Sequence, residues 1–167
     1  EAAASIHIGI DWLASVYFGH ITKVGKRVIV LGGGNTAMDC CRSARRLGGE
    51  DVKVIVRSGF EEMKASPWEK EDAAHEGIPI LNYLVPKAYV HENGALVGMN
   101  FEKVRAEYDE RGRRKLVPAG EPEQFFACDE FLRDPREGRA RPDAGQALRS
   151  RSNRDLRGKA RPDRLQN

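Results

Sequence analysis

The alternation of apolar and polar positions is most regular between Lys26 and Arg57. An apolar run from Val28 to Leu31 stops at Gly32-Gly33-Gly34, and a second one, Val52 with Val54, Ile55 and Val56, ends at Arg57. Between them Ala37, Cys40, Ala44 and Leu47 recur at intervals of three and four. Such a narrow face of mostly small side chains lets a helix lie close on a sheet. The pattern predicts a strand, a tight glycine turn, a helix and a second, parallel strand. Gly48 follows as a natural helix stop, and Arg42, Arg45 and Arg46 gather at the helix C-terminal end, where cations complement the dipole.

Upstream, residues 1–9 carry no clear pattern. Ile10 to Phe18 reads as a short helix with Ile10, Leu13 and Tyr17 as its apolar stripe, Asp11 in its first turn and Gly19 beyond its end. Residues 1–25 are accordingly read as a linker and docking helix, whose stripe calls for a neighbour. Downstream, Ser66-Pro67-Trp68-Glu69 has the spacing of a capping box with Pro at the first helical position. The helix it opens runs to Gly77, and Ile78, Pro79, Ile80, Leu81 and Leu84 follow as a third strand.

The period then changes to that of a hairpin around Asn93-Gly94, with a second turn at Asp109 to Gly112 before Lys115-Leu116-Val117. Phe125, Phe126 and Ala127 begin another strand, and Cys128 to Leu132 should feed a fourth parallel one. The pattern breaks at Arg133. The fold expected is α/β: a Rossmann-like parallel sheet with flanking helices, an inserted antiparallel β-meander and a disordered C-terminal tail. The nucleotide domain is placed at residues 26–132, with its last strand incomplete, and the tail at residues 133–167.

Charge sharpens that boundary. The net charge is +3, but residues 134–167 hold nine Arg and one Lys against five acids, so they carry +5 and the body before them −2. Low hydrophobicity and high charge cannot offset the entropy of ordering. The mixed signs, the Pro and Gly interruptions and the lack of aromatics argue against a nucleic-acid-binding arm. No stretch approaches the roughly 18 apolar residues of a membrane span, and no signal-peptide pattern is present, so a cytoplasmic protein is expected. Cys40, Cys41 and Cys128 form neither a C-x-x-C pair nor a zinc spacing, which fits a reducing compartment. The chain does not begin with Met, which reads as a fragment.

Chemistry concentrates at the glycines. In a G-x-G-x-x-G/A turn the first glycine, Gly32, reverses the chain, and the second, Gly34, brings backbone amides to a pyrophosphate. Ala37 in the third place lets the helix pack on the strand. Asn35 or Thr36 can serve the helix first turn, whose amides and dipole face the phosphates. About 20 residues on, NAD and FAD sites carry an acid for the ribose 2′-OH. This chain has Arg57, whose guanidinium suits a 2′-phosphate; Ser58 adds a hydroxyl and Lys64 a second cation. NADP(H) is favoured over NAD(H). The candidate cofactor-binding residues are Gly32, Gly33, Gly34, Asn35, Thr36, Ala37, Arg57, Ser58 and Lys64. No catalytic acid, base, nucleophile or metal set is evident, so any chemistry falls to the cofactor.

The stretch KRVIVLGGGNTAMDCCRSARRLGGEDVKVIVR, with SGFEEMKASPWEKEDAAHEGI after it, resembles the NAD(P)H-binding domain of the glutamate synthase small (beta) subunit and related FAD-dependent pyridine nucleotide oxidoreductases. The likeness covers about residues 6–132. It implies that this domain is inserted in an FAD domain of a longer chain. Hydride would pass from NAD(P)H to FAD, and electrons onward to an iron–sulfur centre or a partner subunit. It also implies that Gly32, Gly34, Asn35, Thr36 and Ala37 surround the pyrophosphate, and that Arg57, with Ser58 and Lys64, receives the 2′-phosphate. Family members often carry a second basic residue where this chain has Ser58. After Cys128-Asp129-Glu130 they continue through an apolar strand that Arg133 abandons here, which reads as a frame change or truncation. A fragment of this kind is expected to be inactive alone. The other reading is a non-catalytic, regulatory dinucleotide-binding module.

Overall fold

The computed structural model describes residues 2–137. Their elements follow in the order β1 (Ile6–Ile8), α1 (Gly9–Tyr17), β2 (Arg27–Leu31), α2 (Asn35–Arg46), β3 (Asp51–Val56), α3 (Pro67–His75) and β4 (Ile80–Asn82). Then come β5 (Leu84–Glu92), β6 (Ala95–Tyr108), β7 (Arg114–Pro118), β8 (Gln124–Ala127) and β9 (Glu130–Arg133). Five strands form a parallel sheet in the order β1-β9-β2-β3-β4. The other four form an antiparallel sheet in which β5 lies along β6, while β8 and β7 pair with successive stretches of β6. This is an α/β, Rossmann-like architecture with an antiparallel insertion between β4 and β9.

Period-2 alternation in β2 divides the core. Val28 and Val30 face the helices together with Val52, Val54, Val56 and Leu132, and meet Trp12, Met38, Cys41, Ala44 and Ala73. Ile29 and Leu31 point the other way with Ile55 and Phe131, and meet Leu84, Leu96, Met99 and Phe101 of the antiparallel sheet. Both faces of the parallel sheet are thus covered, which is why its strands read as continuous apolar runs.

Several sequence expectations change. Residues 6–17, read as linker and docking helix, add a strand and a helix to this sheet: β1 pairs with β9 and α1 packs on α2. The α1 stripe is Gly9, Trp12, Leu13 and Val16, the spacing of one helix face, while Ile10 and Tyr17 are 56 % and 85 % exposed. Leu84 belongs to β5, after a corner at Tyr83, whose φ is 60°. Phe125 to Ala127 join the antiparallel sheet through β8. The strand expected to fail at Arg133 continues through it as β9, central between β1 and β2. Asp129 fixes its start, accepting the Arg27 N–H at 2.9 Å and the Arg27 guanidinium, and Glu130 accepts the Gly25 N–H at 2.6 Å. The expected disorder, the non-native reading and the nucleic-acid reading of the tail concern mainly residues 138–167, which lie outside the described residues.

Candidate functional site

Three glycines carry the chain from β2 into α2, and each position has its own constraint. Gly32 sits at φ 139°, in the region that side chains disfavour, and donates its N–H to Ile55 O at 3.1 Å. At Gly33 a Cβ would come within 2.9 Å of Val56 and 3.3 Å of Met63. Gly34 is the helix N-cap, its carbonyl accepting from the Ala37 and Met38 amides, and a Cβ there would meet open space.

With Gly34 as N-cap, α2 has no side-chain cap. Asn35 instead turns its Oδ1 to the N–H of Ser66, 2.9 Å away. That N–H is the one Glu69 would have taken in the capping box read from the sequence, and Glu69 pairs with Arg42 instead. The Ala37 amide is taken by Gly34 O, which leaves the Asn35 and Thr36 amides of the first turn of α2 without a hydrogen-bond partner among the described residues, as an anion site requires.

The cleft lies where the strand order reverses. From β2 the chain passes through α2 to β3 on one side, while β9 arrives late in the sequence on the other. Ligands of open parallel sheets bind outside the carboxyl ends of the strands at such a switch point. The cleft there measures about 530 Å³. Gly32, Gly33, Gly34 and the following Asn35, Thr36 and Ala37 line it from the turn, and Arg57, Ser58 and Lys64 from the loop after β3. All the candidate residues are thereby brought together.

That loop is fastened to the glycine turn. Ala65 donates its N–H to Gly33 O at 2.9 Å, beside the bond from Ser66 to Asn35. Asn82, at the end of β4, donates to Ser58 O at 2.9 Å. Lys70 of α3, only 7 % exposed, donates to Phe60 O at 3.1 Å with its ammonium over the Phe60 ring. The Glu62-Met63-Lys64-Ala65-Ser66-Pro67 run thus acts as a brace between turn, loop and α3.

Sequence reasoning missed the charged residues that complete the cleft. Arg114 reaches it from β7, and Arg133, Asp134, Arg136 and Glu137 from the end of β9. Their partners are local or cross-element: Arg114 to Glu62 at 2.7 Å, Arg136 to Asp134 at 2.8 Å, and Arg57 Nε to Glu137 at 3.7 Å. The Arg136 guanidinium holds the Asp134 carboxyl below its ordinary range. Arg57 remains 57 % exposed at its side chain. Cys40, at the base of the cleft, is buried and donates weakly to Gly9 O; burial pushes its thiol up to about 12. A buried thiol of this kind is unreactive compared with an exposed thiolate.

Fold and site together define a Rossmann-like α/β domain with a glycine turn at its switch point. No protein-family model matches the chain. Over 126 residues it is 38 % identical to the NADPH-Fe(3+) oxidoreductase subunit beta of Geobacter sulfurreducens, covering 74 % of this chain and 19 % of that protein. It is 46 % identical over 107 residues to the NADP(+)-dependent formate dehydrogenase subunit beta of Moorella thermoacetica, covering 63 % and 15 %. The chain thus spans less than a fifth of the length of these relatives. Among solved structures, FprA of Mycobacterium tuberculosis in complex with NADPH shares the fold, with a TM-score of 0.60 and 13 % identity over 83 % of this chain and 46 % of that one. The chain belongs to the pyridine nucleotide oxidoreductase family of the NADPH-Fe(3+) oxidoreductase subunit beta.

Proposed function

We propose that this chain is the NADP(H)-binding part of a longer flavoprotein oxidoreductase. In that protein hydride passes between the nicotinamide and a flavin held mostly outside residues 2–137, and electrons continue to an iron–sulfur centre or a partner subunit. The observation that carries the cofactor choice is Arg57. It stands directly after β3, in the same cleft as the glycine turn, where an NAD site would place a carboxylate. The names of the two curated relatives, an NADPH-Fe(3+) oxidoreductase subunit and an NADP(+)-dependent formate dehydrogenase subunit, support the same cofactor.

The residues fit such a ligand. The open side of Gly34 and the Asn35 and Thr36 amides at the start of α2 suit a pyrophosphate. Arg57 would bind the 2′-phosphate in a fork, with Ser58 and Lys64 beside it. The nicotinamide, when bound, supplies the hydride chemistry. Residues 2–137 supply binding and orientation, through a turn and a loop locked to each other by the Ala65 and Ser66 hydrogen bonds. A partner shared with glutamate-synthase-like small subunits belongs to the same proposal.

Mixing the full-length protein with NADPH under anaerobic conditions tests the reading. Bleaching of the flavin's visible absorbance is expected. A full-length protein that is colourless, or whose flavin NADPH leaves oxidised, would refute the reductase reading in favour of a non-catalytic nucleotide-binding module.

A further inference from the structure

The loop that carries Arg57, Ser58 and Lys64 also carries a carboxylate, Glu62, which lines the same cleft. An acid beside a phosphate dianion is an electrostatic obstacle, and NAD-type sites use one to exclude a 2′-phosphate. Glu62 is not bare. Its Oε2 accepts the Gly59 N–H at 3.2 Å and lies 2.7 Å from Nη2 of Arg114. Arg114 opens β7 and pairs across the antiparallel sheet with Tyr108, so it comes from a different layer of the molecule. Both side chains are about two-thirds covered, at 31 % and 33 % exposure, so solvent screens the pair only in part.

We propose that Arg114 is a specificity-determining residue for the nucleotide 2′-phosphate, acting by neutralising Glu62. The antiparallel insertion thereby sets the cofactor preference of a loop to which it does not belong. This inference rests on the reading that the cleft takes NADP(H). Of the other acids of the cleft, Asp134 has Arg136, while Glu137 stands 3.7 Å from Arg57 itself, a long contact that a bound phosphate would replace. Among the described residues Lys64 enters no ion pair and stays available to the phosphate. With Arg114 engaged on Glu62, the phosphate is left to Arg57 and Lys64. Without Arg114, Glu62 keeps only the Gly59 N–H and stands in the same cleft as a like charge that solvent screens in part.

Equilibrium titration of the full chain with NADPH and with NADH at low salt distinguishes the outcomes. In Arg114→Ala the Kd for NADPH should rise on the order of tenfold, and that for NADH should stay constant or fall. Adding Glu62→Gln to that variant should return NADPH binding to within about threefold of the parent, because the charge needing neutralisation is gone. Glu62→Gln alone should leave NADPH binding equal or tighter, and serves as the test if Arg114→Ala does not fold. A parent chain with no preference for NADPH would remove the underlying cofactor reading. A parent that prefers NADPH while Arg114→Ala keeps that preference would overturn the inference alone. A double variant as weak as Arg114→Ala would make Arg114 a direct phosphate ligand, and weaker NADPH binding in Glu62→Gln would show that Glu62 helps the site; either result overturns it.

Discussion

A methyl group added at Gly32 would need a φ of 139°, and one at Gly33 would press on Val56 at 2.9 Å, whereas at Gly34 it would meet open space. The three substitutions should therefore separate. Gly32→Ala and Gly33→Ala are each expected to lower stability by about 1–3 kcal/mol in urea melts, through backbone strain and overpacking respectively. Gly34→Ala meets no steric obstacle and should cost only up to about 1 kcal/mol, the difference between Gly and Ala at an N-cap. It should nonetheless weaken NADPH binding in titrations, because its Cβ would enter the phosphate side of the cleft. Arg57→Ala is expected to weaken NADPH by about 1.5–3 kcal/mol, the worth of a charge-assisted contact, and NADH far less. Equal weakening of both would remove the basis for preferring NADPH. The cysteines give a different signature. Cys40, Cys41 and Cys128 are buried, and burial pushes each thiol up to about 12. Buried, protonated thiols react slowly, so alkylating reagents should label the folded chain far more slowly than the chain in denaturant.

Between elements, the joint of α2 and α3 is ionic where the sequence suggested only dipole complementation. Arg42 meets Glu69 at 3.0 Å, Asp72 at 3.1 Å and Glu76 at 2.8 Å, and Arg46 also reaches Glu76. Arg45 turns back to the carbonyls of Gly49 and Glu50. Arg42→Ala removes the shared partner of Glu69, Asp72 and Glu76, leaving Arg46 on Glu76 alone, and is expected to cost about 1–3 kcal/mol in a urea melt. The same contacts set the acid limb of stability. The hydrogen bond from Arg42, then the charge of Arg46, hold the Glu76 carboxyl below its ordinary range, and the Arg27 guanidinium does the same to Asp129. Burial alone would raise Glu130, but His7 and the Gly25 amide outweigh it and leave it lowered. Depressed carboxylates stabilise the fold fully above the unfolded pKa of about 4, and that stabilisation is lost as pH falls through the lower folded values, where the unfolded chain binds more protons. The thermal midpoint should be flat from neutral pH to about 5 and drop below about 4, with a shallower drop in Arg42→Ala.

At the scale of the whole molecule, β9 closes the sheet. It pairs with β1 on one side and β2 on the other, although it follows β2 by the entire antiparallel insertion. A chain ending at Ala127 would leave β1 without this partner and expose the Phe131 and Leu132 seats of both core layers. Its thermal unfolding is expected to lose cooperativity, measured by circular dichroism against the parent. Among the described residues no helix is long and apolar enough to cross a membrane. Much of this plan was legible in the chain. The apolar runs, the glycine turn, the Asn93-Gly94 hairpin and the helix over residues 67–75 all arise from local spacing and turn chemistry, and each stands in the fold. Sequence spacing mistook the α1 stripe because Ile10 and Tyr17 are as apolar as Trp12 and Val16, and only the neighbour α2 selects between the two faces.

The sequence by itself determined the glycine turn, the candidate residues around it and the presence of Arg57 where an NAD site has an acid, because these depend on backbone freedom and residue type at fixed separations. Tertiary structure alone decided what surrounds them. It carried β1 into the sheet, turned the Asn35 side chain to the Ser66 N–H, and set Arg114 of the antiparallel layer against Glu62. Each of these joins residues from separate elements, and no local periodicity records which of several equivalent partners the packed chain will bring within reach.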